Sequence, residues 1–443
     1  MATNANHPEL LPYAKIREDL FRPLAGMSKK YFIAILIPLL VILFGAYCWF
    51  VQLRDGMGVT GLQRPVFWGY YIVDFVFWIG ISHAGTLISA ILRLTDAGWR
   101  KPITRAAEAI TLFALMIGGM FPIIHLGRAW YFYWLIPYPN FRLLWPNFRS
   151  PLLWDLTAIL TYMTGSAIYL YLPMIPDMAQ LSHYGAPWRR KLYRAMSLGW
   201  TGSDKEWHSL ERAMKLMAAI ILAVAISVHT VVAWDFAMAI APMWHSTIFG
   251  PYFVVGAIFS GLAGLMIVMA SIRKFMGLEQ YLTKHHFDNL AKLLLLMAVL
   301  WLYFTLAEHL TVWYGNDPSE MAVFGDRTRG RFSFIFWLMF VVNFVIPFVL
   351  LGIRKLRSIT TGVIASVGII IGMFIERYII VVPTLTNTRL AAASSPFYTP
   401  SWVELGITAA TFAAMVFLYL VFSKLFPIIA VWEFKPHPHE DEA

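Results

Sequence analysis

Eight ionisable side chains interrupt the long apolar runs of this sequence, either inside the runs or at their ends. A charge in hydrocarbon costs about 2.5 kcal/mol or more, so such residues usually face a protein interior and serve chemistry or transport. An imidazole beside carboxyl groups has the chemistry needed to take up and pass on protons near neutral pH. The eight residues, all expected toward the same membrane face, are Asp74, His125, Arg128, Asp155, Asp235, Glu308, His309 and Glu376.

Five of these residues are expected at one depth in one group of helices. At 1.5 Å per residue, Asp74 lies about 12 Å from the outer start of the second apolar run, and His125 about 8 Å from the outer end of the third. Asp155 opens the fourth run and Asp235 lies near the outer end of the fifth. Arg128 follows His125 by three residues, which would place both on one helix face. The alternative interpretation is an ion-pair network that only holds the helices together.

Two more histidines, His83 and His229, are expected near mid-membrane in the second and fifth runs. Such a pair could ligate a b-type haem, relay protons to the bilayer centre, or form hydrogen bonds in the core. The spacing of four histidines that two haems would need is missing. The sequence leaves these three interpretations open, and we retain His83 and His229 as candidates for a proton path.

A second polar group is expected in a later set of helices, again in their outer third. It forms either a second proton path or a structural network, and its members are Glu308, His309, Glu376 and Arg377. Glu108, near the inner end of the third run, is a candidate site of proton uptake. Arg105 lies three residues earlier on the same face, which favours a salt bridge between the two instead.

The elements that must position these residues are transmembrane helices. The chain has 443 residues, of which 59% are hydrophobic and 14% charged, whereas a soluble domain is about 25% charged. The apolar runs are roughly 20 residues or longer, enough to cross about 30 Å of hydrocarbon as helix. An all-α polytopic membrane protein with ten helices is predicted, and the runs lie at 31–53, 66–94, 104–130, 152–175, 212–242, 248–276, 289–314, 332–353, 359–382 and 401–425.

Charge predicts the topology of the chain and excludes several functions. The net charge is +10, and most of the 35 lysines and arginines fall on one side if the N-terminus is cytoplasmic. The positive-inside rule then places both termini in the cytoplasm, with contacts to anionic lipid rather than to nucleic acid. The first 30 residues mix charges with prolines, unlike a signal peptide. Nucleotide-binding motifs are missing from the sequence.

Cys48 is the only cysteine in the chain. Internal disulfides, iron–sulfur ligation and covalent haem need more thiols, so the chain should carry none of them. A redox function would therefore use a noncovalent cofactor, a quinone, or a centre on a partner subunit.

A weak internal repeat of about 182 residues predicts the architecture. In the second and sixth runs, Tyr71 and Gly80 match Tyr252 and Gly261. Runs 2–5 and 6–9 would form two four-helix bundles, related by an axis along the membrane normal. The predicted units are a cytoplasmic segment 1–30, a peripheral helix with its outer loop 31–65, bundles 66–242 and 243–382, and a last helix with its tail 383–443.

Two outer loops are candidates for contacts with a partner. The loop Tyr131–Pro151, which follows Trp130, is dense in aromatic residues and proline, a composition that fits either an aromatic belt or a docking platform. The loop at 315–331 faces the same side. The tail Lys435–Ala443 contains a His-x-His pair, and a flexible tail is favoured there over a metal site.

Three stretches carry a resemblance to the NrfD/PsrC family of quinone-reactive membrane subunits. They are Phe121-Pro-Ile-Ile-His-Leu-Gly-Arg-Ala-Trp130, Trp145-Pro-Asn-Phe-Arg-Ser-Pro-Leu-Leu-Trp-Asp155, and His83-Ala-Gly-Thr-Leu-Ile-Ser-Ala90 with the preceding Asp74. Within the family, the chain is most similar to the ten-helix ActC subunit of bacterial alternative complex III, and next to its paralogue ActF. The resemblance covers nearly the whole chain.

The resemblance implies a subunit of a quinol-oxidising complex in a bacterial inner membrane. His125, Asp155 and Asp235 would act on a quinol, of menaquinol type, at the outer end of the first bundle. Electrons would leave to an iron–sulfur protein, with c-type cytochromes and paralogous membrane subunits as further partners. The chain itself would bind no haem, iron–sulfur cluster or metal. The additional quinol-binding residues would be Asp74, Arg128, Trp130 and Tyr131.

Two other functions remain open at this stage. An ActF-type paralogue would take part in proton transfer without oxidising quinol. A proton-coupled secondary transporter would use the same acidic and histidine residues, with an anionic substrate on Arg128. The missing Gly/Pro interruptions at matching places in the two halves count against the transporter.

Overall fold

The computed structural model describes residues 12–26, 28–136, 149–387 and 398–434. Within these ranges the chain is helical, without a β-strand, and ten helices are long and apolar enough to cross a membrane. The predicted all-α fold with ten spans is confirmed. We label the spans α1 (Lys29–Asp55), α2 (Tyr70–Leu94), α3 (Thr104–Ile124), α4 (Pro151–Leu181), α5 (Asp204–Ala237), α6 (Phe249–Met276), α7 (Lys284–Gly315), α8 (Ser333–Gly352), α9 (Ile359–Thr386) and α10 (Trp402–Leu425).

Some predicted features fall outside the described residues. They are the tail 435–443 with its His-x-His pair, the loop 137–148, and the first four residues of the motif that ends at Asp155.

Local sequence signals explain where several spans begin and end. Ser401 caps α10 by accepting a hydrogen bond from Glu404 N, and the Glu404 carboxylate accepts one from Ser401 N at 2.9 Å. This reciprocal capping box satisfies backbone donors that have no partner inside the helix. Gly277 ends α6 with a φ of +67°, a left-handed conformation that glycine adopts without strain.

The third span is shorter than the apolar run that predicted it. A break at Gly119 and Met120 divides α3 into Thr104–Gly118 and the single turn Phe121–Ile124. His125 caps that turn, and Gly127 leaves the helix with a φ of +67°. The expected run to residue 130 is therefore wrong, because the apolar residues beyond Ile124 continue the hydropathy signal but not the helix. The prediction that Arg128 and His125 share one helix face is wrong for the same reason.

Two helices related by the repeat, α2 and α6, lie at the centre and pack against each other. α2 also contacts α3 and α5, and α6 also contacts α7 and α9. A Cβ at Gly85 would overlap the carbonyl of Ala107, so this glycine lets α2 and α3 approach closely. The predicted unit boundaries and the symmetry axis stay predictions.

The first and last spans pair with each other outside these helices. α1 packs along α10, where Gly45 faces Ala410 and Gly406 faces Cys48. In the apolar stretch of α1 that would cross the membrane, only 17% of residues are buried within the chain. The small residues therefore give α1 its main protein contact, and most of its surface faces outward.

The segment after α10 crosses the inner ends of several helices, and we call residues 426–434 the inner strap. Arg105 of α3 pairs with Asp177 of α4 at 2.6 Å, and the Asp177 carboxylate accepts hydrogen bonds from Val431 N and Trp432 N. The expected salt bridge between Arg105 and Glu108 is therefore wrong, because the guanidinium is already engaged with Asp177 and with carbonyl oxygens of the strap.

The described terminal segments meet at this same end of the molecule. Lys424 Nζ at the end of α10 donates to the carbonyl oxygens of Pro23 and Gly26, at 2.6 Å each. Glu433 of the strap pairs with Arg93 near the end of α2 and with Arg100 in the turn that follows. The described terminal segments therefore lie at the same membrane side, and its assignment as cytoplasmic stays a prediction.

Candidate functional site

A pair of carboxyl groups lies near the outer face between α4 and α5. Asp155 and Asp235 are 5% and 8% exposed, and their carboxyl groups lie close enough to interact with each other. Because an ionised carboxylate only accepts hydrogen bonds, the two groups can hydrogen-bond to each other only when one of them carries a proton. One oxygen of each carboxyl group is buried without a hydrogen-bond partner in the described chain. The pair can therefore hold one proton and exchange it with a third group.

His125 lies one residue beyond the end of α3, at the same outer end of the bundle. Burial lowers the pKa of its imidazole, so the ring is neutral at pH 7 and can accept a proton. Its Nδ1 atom is buried and makes no hydrogen bond within the described ranges. Because α3 packs against α4, His125 lies in the same bundle as the carboxyl pair, and no hydrogen bond joins them among the described residues.

Two residues that sequence reasoning missed hold the end of α3. Gln52 of α1 is fully buried, and its Nε2 donates to the carbonyl oxygen of Ile124 at 2.8 Å. Its Oε1 accepts a hydrogen bond from the Tyr71 hydroxyl at 2.5 Å. The Tyr71 ring meets the His125 ring edge-on, with centroids 6.1 Å apart. An amide near the end of an otherwise apolar run was the signal that could have revealed Gln52.

The other expected quinol-binding residues lie apart from the carboxyl pair. Asp74 is fully buried and accepts a hydrogen bond from the Thr408 hydroxyl of α10 at 2.6 Å. Arg128 is exposed, and Trp130 and Tyr131 belong to an exposed 3₁₀ segment, Ala129–Leu135. Asp74 is therefore engaged with α10 and the other three lie at the outer surface, and the role of all four in binding quinol stays a prediction.

The two mid-membrane histidines contact each other. The rings of His83 and His229 have centroids 4.3 Å apart, which leaves no room for a haem between them. His83 Nδ1 lies 2.6 Å from Ile79 O, and its Nε2 lies 2.8 Å from Ala225 O. Only a doubly protonated ring could donate to both carbonyl oxygens. Both nitrogens of His229 are buried without a partner in the described residues, so this pair fits proton exchange better than ligation.

Polar groups continue from these histidines into the second bundle. Phe253 of α6 lies beside His229, with ring centroids 6.0 Å apart, and the Arg377 guanidinium lies 4.8 Å from the Phe253 ring. Arg377 pairs with Glu376 at 2.9 Å, as their adjacency suggested. Glu376 also accepts hydrogen bonds from the Tyr252 hydroxyl and the Trp301 indole.

The outer end of the second bundle contains Glu308 and His309, which face different neighbours. Glu308 accepts a hydrogen bond from Ser246 at 3.0 Å, whereas His309 Nδ1 lies 2.8 Å from Thr305 O. Sequence reasoning missed Arg327, which is 3% exposed and donates to the Thr384 hydroxyl at 2.9 Å. Burial lowers the pKa of Arg327 to about 10, so the guanidinium remains charged at neutral pH. Its charge interacts electrostatically with Glu308.

Buried polar groups also extend from the histidine pair toward the inner face. The Tyr162 hydroxyl, below the His83 ring, donates to Ser82 O at 3.1 Å. Closer to the inner strap, Ser89 donates to Glu108 at 2.5 Å and lies 3.3 Å from the Tyr169 hydroxyl. Glu108 therefore faces the bundle interior rather than Arg105, as a proton-uptake site requires.

Comparison with known proteins agrees with this arrangement of helices and buried polar groups. The family model described as "Polysulphide reductase, NrfD" matches residues 58–389, well over half of the chain. The chain belongs to the polysulphide reductase NrfD family. The matched region runs from the loop before α2 to the end of α9, and so includes every one of the candidate residues except Gln52.

Several curated proteins are similar to this chain over nearly their whole length. The chain is 24% identical over 425 residues to a putative membrane subunit of dimethyl sulfoxide reductase from Halobacterium salinarum, covering 91% of this chain and 92% of that one. It is 24% identical over 418 residues to a selenate reductase subunit from Mesobacillus selenatarsenatis, covering 91% and 95%.

A third relative is the Hdr-like menaquinol oxidoreductase integral membrane subunit of Archaeoglobus fulgidus. It is 23% identical over 433 residues, covering 92% of this chain and 96% of that one. The similarities are therefore to membrane subunits of several oxidoreductases, and the family assignment is broader than the ActC-type subunit suggested by the sequence.

Proposed function

We propose that this chain is the quinol-oxidising membrane subunit of a multi-subunit respiratory oxidoreductase. The observation that carries the proposal is the buried pair Asp155 and Asp235, each with an oxygen that has no hydrogen-bond partner in the described chain, with the unpartnered Nδ1 of His125 at the same outer end of the helices. The name of the Archaeoglobus relative, a menaquinol oxidoreductase subunit, supports a quinol of menaquinol type. In its more specific form, the proposal assigns this chain the role of an ActC-type subunit.

Oxidation of one quinol releases two protons and two electrons and leaves the quinone. With its headgroup between His125 and the carboxyl pair, one hydroxyl proton passes to the free imidazole nitrogen. The second proton passes to the unpartnered oxygen of Asp155 or Asp235, after the shared proton has moved outward. The electrons leave to an iron–sulfur protein at the outer face, because the single cysteine of this chain cannot hold a cluster.

The outer surface beside this site suits a partner protein. The segment Ala129–Leu135 presents consecutive aromatic side chains, among them Trp130 and Trp134, which are 58% and 50% exposed. Aromatic residues are enriched where proteins bind one another, and this segment directly follows His125. An iron–sulfur protein docked here would lie close to the quinol headgroup, with c-type cytochromes and paralogous membrane subunits completing the complex.

The proposal is tested in the intact complex with His125→Gln and Asp235→Asn. Each change removes a proton acceptor at nearly constant volume, so quinol oxidation should fall by about 10²-fold or more. The measurement is steady-state quinol oxidation by the purified complex, with its assembly checked on a gel. His208→Gln, at an exposed position near the inner end of α5, is the control and should turn over normally. Undiminished turnover by an assembled His125→Gln complex would refute the proposed role.

A second function, proton transfer across the membrane, is favoured by one further observation. Buried polar groups follow one another from the carboxyl pair, past His83 and His229, to Ser89 and Glu108 at the inner side. This is also the function of the ActF-type alternative, in which the path would work without quinol oxidation. The secondary transporter would instead require uptake of a solute by this chain alone in vesicles.

A further inference from the structure

A groove runs down the lipid-facing surface between α4 and α5. Its volume is about 560 Å³. Residues from both helices form its walls, including Leu153, Thr157 and Thr161 on α4 and Ala223, Ser227 and Val231 on α5. At 1.5 Å per residue, the wall from Leu153 to Thr161 is about 12 Å long. The groove therefore extends from the outer end of the helices toward mid-membrane.

The hydroxyl groups in this groove are all engaged by their own helices. Thr157 Oγ1 donates to Leu153 O at 3.0 Å, and Thr161 Oγ1 donates to Thr157 O at 2.8 Å. Ser227 Oγ on the facing wall donates to Ala223 O at 2.8 Å. The threonines therefore turn methyl groups to the groove, and a polar headgroup would find no free donor there. Its chemistry suits a hydrocarbon chain.

The groove begins beside the carboxyl pair. Leu153 precedes Asp155 by two residues, and Val231 precedes Asp235 by one helical turn. Trp154 and Trp234, each next to one of the carboxyl residues, contact each other with ring centroids 6.3 Å apart. A molecule with a polar ring at Asp155 and Asp235 would thus have its hydrocarbon part at the outer end of the groove.

We infer that this groove binds the isoprenoid tail of the quinol, an inference that rests on the proposed function. The headgroup lies at the carboxyl pair and the first isoprene units lie between Thr157 and Ser227. The short side chains at Ala223 and Ser227 are then what makes room for the branched methyl groups of the tail. The groove gives the site a preference for long-tailed quinols over tail-less ones.

The test fills the groove with Ser227→Phe and measures two substrates on the purified complex. One is a long-tailed menaquinol in lipid vesicles, and the other is menadiol, which has the same ring system without the tail. KM for the long-tailed quinol should rise by about tenfold or more, whereas kcat/KM for menadiol should stay within about twofold of the wild type. Ser271→Phe is the matched control, because Ser271 is exposed on α6 and donates to Ile267 O at 2.8 Å in the same way.

Two outcomes separate this inference from the proposed function. If the wild type oxidises both quinols and Ser227→Phe leaves KM for the long-tailed quinol unchanged, the groove holds something else, such as a phospholipid acyl chain, and the inference is overturned. If the wild type oxidises neither quinol, the proposed function itself fails. Thr157→Leu, a smaller change on the facing wall, replaces Ser227→Phe if that complex does not assemble, with the same rise in KM expected.

Discussion

At the scale of single residues, the site depends on Gln52, a side chain of α1, which lies outside the helices that form the site. Gln52 satisfies the carbonyl oxygen of Ile124, a group that the end of α3 leaves without a helical partner. The same amide accepts the Tyr71 hydroxyl, and Tyr71 contacts the His125 ring. In the proposed mechanism, Gln52 and Tyr71 are therefore positioning residues that orient His125 without touching the substrate.

Gln52→Leu should lower kcat for quinol oxidation by about tenfold with little change in KM, because a small displacement of a catalytic group is costly. Gln52→Glu keeps an acceptor for Tyr71 and should lie between Leu and the wild type. The measurements are kcat, KM and the pH dependence of kcat on assembled complex.

The matched control for this pair is Tyr70→Phe. The Tyr70 ring packs instead against Phe374 and Tyr378 of α9. Turnover by the complex that carries Tyr70→Phe should therefore remain normal. A loss of assembled complex in Gln52→Leu, with kcat unchanged in what remains, would contradict a positioning role and assign Gln52 to folding alone.

The candidate site residues could be selected from the sequence, but their contacts could not. A carboxylate or histidine in an apolar run is conspicuous because burial is costly, and this property singled out His125, Asp155 and Asp235. Whether two such groups meet depends on the rotation of each helix about its axis, which hydropathy does not report. The proximity of Asp155 to Asp235 and the hydrogen bond between Asp74 and Thr408 therefore required the structure.

At the scale of helices, the closest approach of α2 and α3 depends on one glycine. A Cβ at Gly85 would overlap Ala107 O and Thr111 Oγ1, whereas nothing lies within 4 Å of one at Gly264. The first contact is with backbone, which cannot rotate away, so the two helices would have to separate. Their separation would also disturb the hydrogen bond from Thr86 N to Thr111 Oγ1, now 2.9 Å.

Gly85→Ala should therefore destabilise the protein by about 1–3 kcal/mol or more, as overpacking does. Gly264→Ala, a matched change on a spanning helix with open space, should leave stability unchanged or slightly raised. Thermal unfolding of both variants in the same detergent measures the difference. Equal midpoints for the two variants would show that the backbone contact is relieved without cost.

Seven of the ten spans lie within five residues of their predicted ends. By contrast, α4 continues six residues beyond its apolar run, α5 begins eight residues before its run, and α3 leaves the helix within an apolar stretch. The capping signals at Ser401 and Gly277 coincide with changes in hydropathy, so both signals agree there. After Ile124 they disagree, because the residues stay apolar while Gly127 takes a left-handed conformation. An aromatic outer segment and a buried helix end have the same hydropathy, and only the backbone distinguishes them.

At the scale of the whole molecule, buried polar groups lie at several depths between the outer carboxyl pair and Glu108. The pair of His83 and His229 stands between them. His229 also lies beside Phe253 of α6, whose ring contacts Arg377 of α9. If the proposed proton path exists, a change at this pair affects proton movement while leaving the outer chemistry in place.

His83→Ala should lower the number of protons translocated per electron in liposomes, while quinol oxidation continues at a comparable rate. The physical reason is that alanine cannot carry a proton between the groups above and below it. Proton release with a pH dye, measured together with quinol oxidation, gives the ratio. His208→Ala serves as the exposed control, and a ratio in His83→Ala equal to that of the wild type would argue against the path.

The pairing of α1 with α10 has a consequence for how the chain is made. α1 leaves the ribosome roughly 370 residues before its principal partner, α10. Before α10 has been inserted, Gly45 lacks its contact with Ala410, and α1 is surrounded by lipid or by the insertion machinery. α10 therefore gives α1 its main protein contact late in synthesis, and the inner strap can cover the inner helix ends only after α10 has been made.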